Sequence, residues 1–301
     1  MNRVEKLYID SRDRNTNESS SDFTVYISNF RELIGVKSVY VDSMVFPNSI
    51  LPINAKNNKL YLNMRRYSAL TYLTWTDQPF VVELPIGSYT PQEMIDTLNP
   101  LIVTYYNVAY PSNPQTLTTS MSYNTKSSVF SITVTSQYGR ASTSQPGGTA
   151  IDYLVIDDKN STNYANNYYD SLNYVLGFED MSYSYPTNIQ PYLNTPIQIA
   201  MSSTSLHHLS GEQYLYLHSD IVSTSETSTK DTSTNDVLYK INLAGSYSEI
   251  IYSSTPHSAS QINVNTQSAI TKIRFYLTDS RNEPVDMRGG EWSFILSLTY
   301  E

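Results

Sequence analysis

Apolar and polar residues alternate with period two in short runs along most of the chain, the pattern of half-buried strands. Phe23, Val25 and Ile27 share one face of the first clear run. Val39, Val41 and Val45 alternate with Tyr40, Asp42 and Met44 before Pro47-Asn48-Ser49 closes the next, and Leu60, Leu62 and Met64 point inward in a third. A fourth short strand is predicted over Phe80 to Leu84, so the first 85 residues read as all β. The last stretch, Ala269 to Glu301, carries two strands of high apolarity. Ile273, Phe275 and Leu277 alternate with polar neighbours in one, and Trp292, Phe294, Leu296 and Leu298 do so in the other. Between them Pro284 and Gly289-Gly290 supply turn chemistry. Phe275, Trp292 and Phe294 are therefore candidate core residues. The pair reads either as a hairpin or as two strands crossing between sheets, their apolar faces meeting across the core.

The period changes in the middle of the chain. Thr90-Pro91-Gln92-Glu93 is a capping box with proline at the first helical position, and Met94, Ile95 and Leu98 fall on one helical face behind it. Asn99-Pro100 predicts the end of that helix, because proline restricts the residue before it. Thr118 to Tyr123 and Val129 to Thr135 read as a hairpin, and Ile151 to Ile156 as a strand. Residues 170–177 read as a short helix with Asp170 as N-cap and Gly177 after its C-terminus. From Pro196 the strand pattern returns, over 197–201, 212–218, 237–242, 249–252, 269–277 and 292–300. The organisation expected is mainly β: a jelly-roll β-sandwich of two antiparallel sheets, discontinuous over residues 1–85 and 191–301, with a small α/β domain inserted over 86–190.

Composition supports the β class and narrows the chemistry. Tyr, Ser, Thr and Asn dominate, and charged residues are only 16%. With no cysteine, disulfide frameworks and thiolate metal sites are excluded. No apolar window approaches the length of a membrane span, and the N-terminal residues lack the apolar core of a secretory leader. Synthesis in a cytosol is the expectation. The formal charge of −9 is unevenly spread. Residues 67–268 are strongly acidic, whereas residues 1–66 carry ten basic against seven acidic side chains. Binding of nucleic acid by counterion release is thereby confined to a weak contact through the N-terminal part.

No catalytic set emerges. Phosphate-cradling, nucleophile-elbow and zinc-protease motifs are absent. His207-His208, taken as neighbours in a strand, would point to opposite faces and could not grip one ion. Asp157-Asp158-Lys159-Asn160 lacks the glycine and terminal glutamate of a calcium loop and reads as a solvated turn. Gly147-Gly148-Thr149 reads as a turn, and Glu179-Asp180 has no partner for acid–base work. No metal and no cofactor are expected. The 27 tyrosines are the compositional anomaly. Tyrosine favours strands, which accounts for part of them. The remainder, set among Ser, Asn and Thr, reads as contact surface of the kind that builds protein interfaces and sugar-binding faces.

Several motifs in order resemble a known family. They are Ser19-Ser20-Ser21-Asp22-Phe23-Thr24-Val25, Pro47-Asn48-Ser49, Val82-Glu83-Leu84-Pro85-Ile86-Gly87-Ser88-Tyr89-Thr90, Leu172-Asn173-Tyr174-Val175-Leu176-Gly177-Phe178, Ile270-Thr271-Lys272-Ile273-Arg274-Phe275 and Gly289-Gly290-Glu291-Trp292-Ser293-Phe294. Together they resemble the minor capsid, or penton, proteins of virophages and polinton-like DNA viruses of the mavirus-like type. The resemblance implies a non-enzymatic jelly-roll capsomer that forms homopentamers at icosahedral vertices, contacts the major capsid protein and resides in the virion. Assembly would take place in the host cytoplasm or a virus factory. It also implies an insertion carried outward, a candidate to meet a host surface ligand. Residues 142–149 and 223–235 match none of its motifs. Asp10, Arg12 and Arg14, in the arm before the first core strand, are candidates to tie neighbouring subunits or reach inward, against the simpler reading of a solvated charged turn. The rival function is a trimeric or monomeric receptor- or carbohydrate-binding head.

Overall fold

The computed structural model describes residues 3–27, 33–68, 75–109, 117–136, 150–180, 197–222, 236–254, 261–264 and 269–300. The glycine- and serine-rich stretch 142–149, the loop 223–235 and Tyr183, Tyr185 and Tyr192 lie outside the described residues. In chain order the elements are β1 (Val4–Asp10), β2 (Asp22–Tyr26), β3 (Val36–Pro47), β4 (Lys59–Ser68), β5 (Trp75–Glu83), α1 (Pro91–Ala109), β6 (Leu117–Asn124), β7 (Val129–Ser136), β8 (Ala150–Ile156), α2 (Leu172–Val175), β9 (Ile197–Ser202), β10 (Tyr214–Ser219), β11 (Val237–Asn242), β12 (Ile250–Ser254), β13 (Ile262–Asn263), β14 (Lys272–Thr278) and β15 (Ser293–Tyr300). The architecture is mainly β, with several antiparallel sheets and a small helical part.

Two compact units divide the chain. Unit 1 is Met1–Ile50 with Ser210–Glu301, and unit 2 is Leu51–Leu209. The insertion thus spans more sequence than 86–190, the range read from the change of period. The reason is physical: alternation identifies a strand but not its sheet. β4 and β5 pair with each other and β4 with β8, while β9 pairs with β7. Their inward residues Leu60, Leu62, Phe80 and Val82 consequently share a core with α1.

Unit 1 holds two sheets, ordered β1-β15-β3-β12, with β13 also on β3, and β11-β10-β14-β2. Both are antiparallel throughout, and the first and last strands of the chain pair with each other, Val4 opposite Thr299. β14 and β15 lie in different sheets. Their apolar faces meet: the Phe275 and Phe294 rings stand edge-to-face at 5.0 Å, Trp292 stacks on Phe294 at 5.2 Å, and Phe23 and Phe46 lie 5.7 and 5.8 Å from Trp292. Phe275, Trp292 and Phe294 are all buried. A core of large rings fills the space between two sheets with few side chains, and edge-to-face contacts add to the burial.

Unit 2 has the sheets β5-β4-β8 and β6-β7-β9 around α1 and α2. The capping box is present: Thr90 N–H donates to Glu93 Oε2 at 2.8 Å, and Glu93 N–H to Thr90 Oγ1 at 3.3 Å. The helix, however, runs through Pro100 to Ala109 rather than ending at Asn99. Burial of Met94, Ile95, Leu98, Ile102 and Tyr106 continues one helical face across the proline. Asn99 is tied laterally, its Oδ1 accepting from Met121 N–H at 3.0 Å. Packing here outweighs the loss of one helical hydrogen bond. The predicted hairpin forms as β6 and β7, with Asn124 Oδ1 accepting from Lys126 N–H in the turn. The N-cap of α2 is Ser171 rather than Asp170. Ser171 Oγ accepts from Tyr174 N–H, and Asp170 instead closes a preceding 3-10 turn capped by Asn167. Gly177 follows the C-terminus at φ +81°, with Phe178 N–H reaching Asn173 O and Gly177 N–H reaching Tyr174 O. A Cβ there would stand 2.3 Å from Ser205 O, so only glycine fits.

Candidate functional site

Asp10 ends β1, and Arg12 and Arg14 lie in the segment that follows it. Asp10 and Arg12 pair with each other at the surface, Arg12 Nε lying 2.9 Å and Nη2 2.5 Å from the carboxylate. Arg14 turns back onto its own chain. It donates to Ser11 O at 2.6 Å, to Glu18 O at 3.1 Å and to Glu291 Oε2 at 2.7 Å. Ser11 Oγ donates to Glu291 at 2.5 Å and accepts from Trp292 N–H at 3.0 Å, and Trp292 Nε1 donates to Ser20 O at 2.6 Å. Burial would push the Glu291 carboxyl up, but the hydrogen bonds from Ser11 and Arg14 outweigh it and hold it below its ordinary range. This clasp fastens residues 11–20 to the start of β15.

On the outer side of the β14 sheet, Asp236 Oδ1 lies 2.9 Å from His218 Nδ1, and His218 Nε2 lies 2.8 Å from Thr278 Oγ1. Tyr276 stacks on the imidazole at 4.5 Å and donates to Asp236 Oδ2 at 2.5 Å. Desolvation alone would raise the Asp236 carboxyl, and the bonds from His218 and Tyr276 bring it below its ordinary range. The connectivity Asp–His–Thr matches a hydrolase relay. Yet His218 and Thr278 are buried, and a nucleophile must reach its substrate. The network welds β10, β11 and β14 together. The sequence did carry a faint signal for it: His218 and Tyr276 occupy outward positions beside the inward Leu217, Phe275 and Leu277.

In unit 2, Asp157 is buried rather than solvated, while Asp158 is half-buried and Lys159 and Asn160 are exposed. Asn63 Nδ2 donates to its Oδ1, and Asn163 Nδ2 to its Oδ2 at 2.9 Å. Desolvation raises the Asp157 carboxyl despite these donors. Beside it, Asn173 accepts from Tyr61 N–H and donates to Tyr61 O and Asp157 O, all within 2.8–2.9 Å. Tyr61, Tyr164, Tyr168, Tyr169 and Tyr174 make an edge-to-face array that His208 extends by stacking on Tyr174 at 4.4 Å. His207 and His208 lie in a loop, not in a strand, and serve packing. His207 Nε2 is 2.8 Å from Tyr123 OH. Burial lowers the affinity of both imidazoles for a proton. Glu179 and Asp180 share Lys159, with Ser205 Oγ also donating to Glu179. Among the described residues no group of three or more His, Asp or Glu could hold a metal ion, and no helix is long and apolar enough to cross a membrane.

The outer face of the β15 sheet carries a groove of about 370 Å³. Its lining includes Tyr8, Val45 and Ile295, the small floor residues Ser43 and Ser293, and Asp10 and Asp13. Strand register places Tyr8, Ile295 and Ser43 in one row, and Asp10, Ser293, Val45 and Tyr252 in the next. Tyr8 is 77% exposed and Tyr252 75%. These outward aromatic positions escaped sequence reasoning, because periodicity finds the buried face and is silent on what stands opposite.

No protein-family model matches the chain, and no curated protein does. Among solved structures it is similar to the crystal structure of the selenomethionine-labelled mavirus penton protein, a distant match with a TM-score of 0.47 at 10% identity, covering 99% of this chain and 98% of that one.

Proposed function

We propose that this protein is a non-enzymatic structural component of a viral capsid. In this reading unit 1 is a jelly roll, five copies close into a ring at an icosahedral vertex, and the ring contacts the neighbouring major capsid protein. The observation that carries the reading is the strand order of unit 1. Numbering its eight principal strands along the chain, the sheets run 1-8-3-6 and 2-7-4-5, so the neighbours 1–8, 2–7, 3–6 and 4–5 are those of one long antiparallel ribbon folded over. This order supports the jelly-roll reading, an architecture used by viral capsid and lectin domains alike. Fold alone does not choose between those uses. The order of motifs described above favours the capsid use. So does the fate of the polar clusters, whose side chains are spent on internal hydrogen bonds. Unit 2 enters between the third and fourth strands, and its tyrosine array is the candidate contact for a host ligand. Asp10 and Arg12, paired at the surface, remain candidates to meet a neighbour, whereas Arg14 anchors its own loop. The particle would be assembled in the host cytoplasm or a virus factory and the protein would reside in the virion.

Native mass measurement of the recombinant protein, alone and mixed with a major capsid protein, tests this. The expected result is a pentamer that enters shells. A persistent monomer or trimer that stays out of shells would establish the rival reading, a receptor- or carbohydrate-binding head.

A further inference from the structure

The two sheets of unit 1 present chemically different outer faces. The face of the β15 sheet is aromatic and aliphatic. Tyr8 stands on one side of the groove, Val45 and Tyr252 on the other, and Ile250 extends the apolar stripe along β12. Exposed rings on both sides of a floor of serines contribute little to the stability of a single chain, and they form the kind of slot that an inserted side chain desolvates. At its rim Asp10 is neutralised by Arg12, whereas Asp13 is exposed and has no ion pair among the described residues.

The face of the β14 sheet is aromatic and cationic. Lys240 Nζ sits 3.9 Å over the Tyr214 ring, and Arg274 lies 5.0 Å over Tyr276 while gripping Asp22 with two bonds of 2.7–2.8 Å. Lys272 stands opposite Tyr26, itself 56% exposed. Lys240 and Lys272 are exposed and have no carboxylate partner among the described residues. Rings capped by cations are compact side-chain blocks with an apolar body and a charged tip. They match a slot with apolar walls and a carboxylate rim.

A ring of more than two identical subunits needs a heterologous contact, in which one surface of a copy meets a different surface of the next. We infer that the outer face of the β15 sheet docks the outer face of the β14 sheet of a second copy of this chain. Tyr214, Lys240, Lys272 and Tyr26 of one copy would then lie against Tyr8, Val45, Tyr252 and Asp13 of the next. This rests on the ring reading of the preceding section and adds to it the two surfaces that close the ring.

The absence of native cysteine makes the test clean. Full-length Y252C and K240C variants are mixed and treated with a short bis-maleimide. The expected product is a covalent dimer containing one copy of each, while neither variant alone cross-links. In parallel, the Tyr8→Ser/Tyr252→Ser variant should lose about tenfold or more in association constant, while its dissociated chain keeps the far-ultraviolet dichroism of the folded wild type. Cross-linking of Y252C with itself would overturn the inference in favour of a symmetric dimer. A wild-type pentamer that yields no mixed dimer and tolerates Tyr8→Ser/Tyr252→Ser would overturn it and leave the ring reading standing. A wild-type protein that stays monomeric at all concentrations would remove both.

Discussion

Unit 1 and unit 2 are both built from antiparallel sheets, but they reach their cores by different routes. Unit 1 pairs its first strand with its last, Val4 with Thr299, and joins β3 to β12 across the whole of unit 2. Unit 2 contains the sequence-adjacent pairs β4–β5 and β6–β7 beside the longer-range β4–β8 and β7–β9, whereas among the described strands of unit 1 only β10–β11 are adjacent in sequence. Closing long loops costs conformational entropy before the contacts form, so local pairs form fast and distant ones slowly. The cores also differ. Unit 1 relies on rings, with Trp292, Phe294, Phe275, Phe23 and Phe46 packed between two sheets. Unit 2 mixes aliphatic side chains with the rings of Phe80, Tyr106, Phe130 and Phe178, which form no comparable single cluster, and adds a buried polar knot of Asn173, Asp157 and Asn63. The two apolar clusters share no residue. Directional hydrogen bonds occur in both units, but in unit 1 they lie in the Ser11–Glu291 clasp and on the outer face of the β14 sheet, whereas in unit 2 the Asn173 knot is itself buried.

The sharpest way to break this contrast is Trp292→Ala. Loss of the indole from the ring cluster, together with its bond to Ser20, should cost unit 1 about 3–5 kcal/mol. In urea unfolding followed by circular dichroism, a single unshifted transition would contradict the ring-based account. Trp75, in unit 2, remains as a fluorescent reporter in that variant. The counterpart in unit 2 is Asn173→Ala. It leaves the buried Tyr61 N–H without its acceptor, while Tyr61 O keeps Asp157 N–H and Asp157 O keeps the Tyr164 hydroxyl, and should destabilise unit 2 by about 1–3 kcal/mol, the cost of one orphaned buried group. Unfolding of the tyrosine array, read by near-ultraviolet dichroism, would show it. Thr90→Ala removes the cap of α1 and should cost about 1 kcal/mol, with the midpoint of unit 2 moving and that of unit 1 unmoved.

The smallest expected effect separates the units by pH. Asp157 has a raised carboxyl, so the folded state binds its proton more tightly than the unfolded state does. Unit 2 should therefore gain stability as pH falls through the folded pKa of Asp157 toward the unfolded value of about 3.9. Asp236 has a lowered carboxyl, and its contribution runs the other way. It is fully present above about 3.9 and is lost as pH falls through the folded value. Asp157→Asn should flatten the first dependence and leave the second. A variant whose stability follows pH as the wild type does would show that Asp157 is not the group responsible.

What was legible in the sequence follows from what is local. Period-two alternation located β3, β10, β11, β14 and β15 to within a few residues, and the Thr90–Glu93 box announced the start of α1. The inward sides of those strands could be named because burial of one face repeats every second residue. Other features were not legible. Proline 100 signalled a stop that tertiary burial of Ile102 and Tyr106 overrode. Asp157 read as a surface turn because nothing in its neighbourhood reveals Asn63, which lies 94 residues away. β13, two residues long, has no period to detect.

The sequence by itself therefore determined the β character, the inward faces, the helix start and the freedom from cysteine chemistry, since each is set by residues within a few positions of one another. Only the tertiary structure decided which strands share a sheet, that unit 2 takes β4, β5 and β9, that β14 and β15 face each other across the core, and that Tyr8 and Tyr252 stand out from the opposite face. Partner choice depends on register and packing between segments hundreds of residues apart. A local pattern carries no information about the segment it will meet.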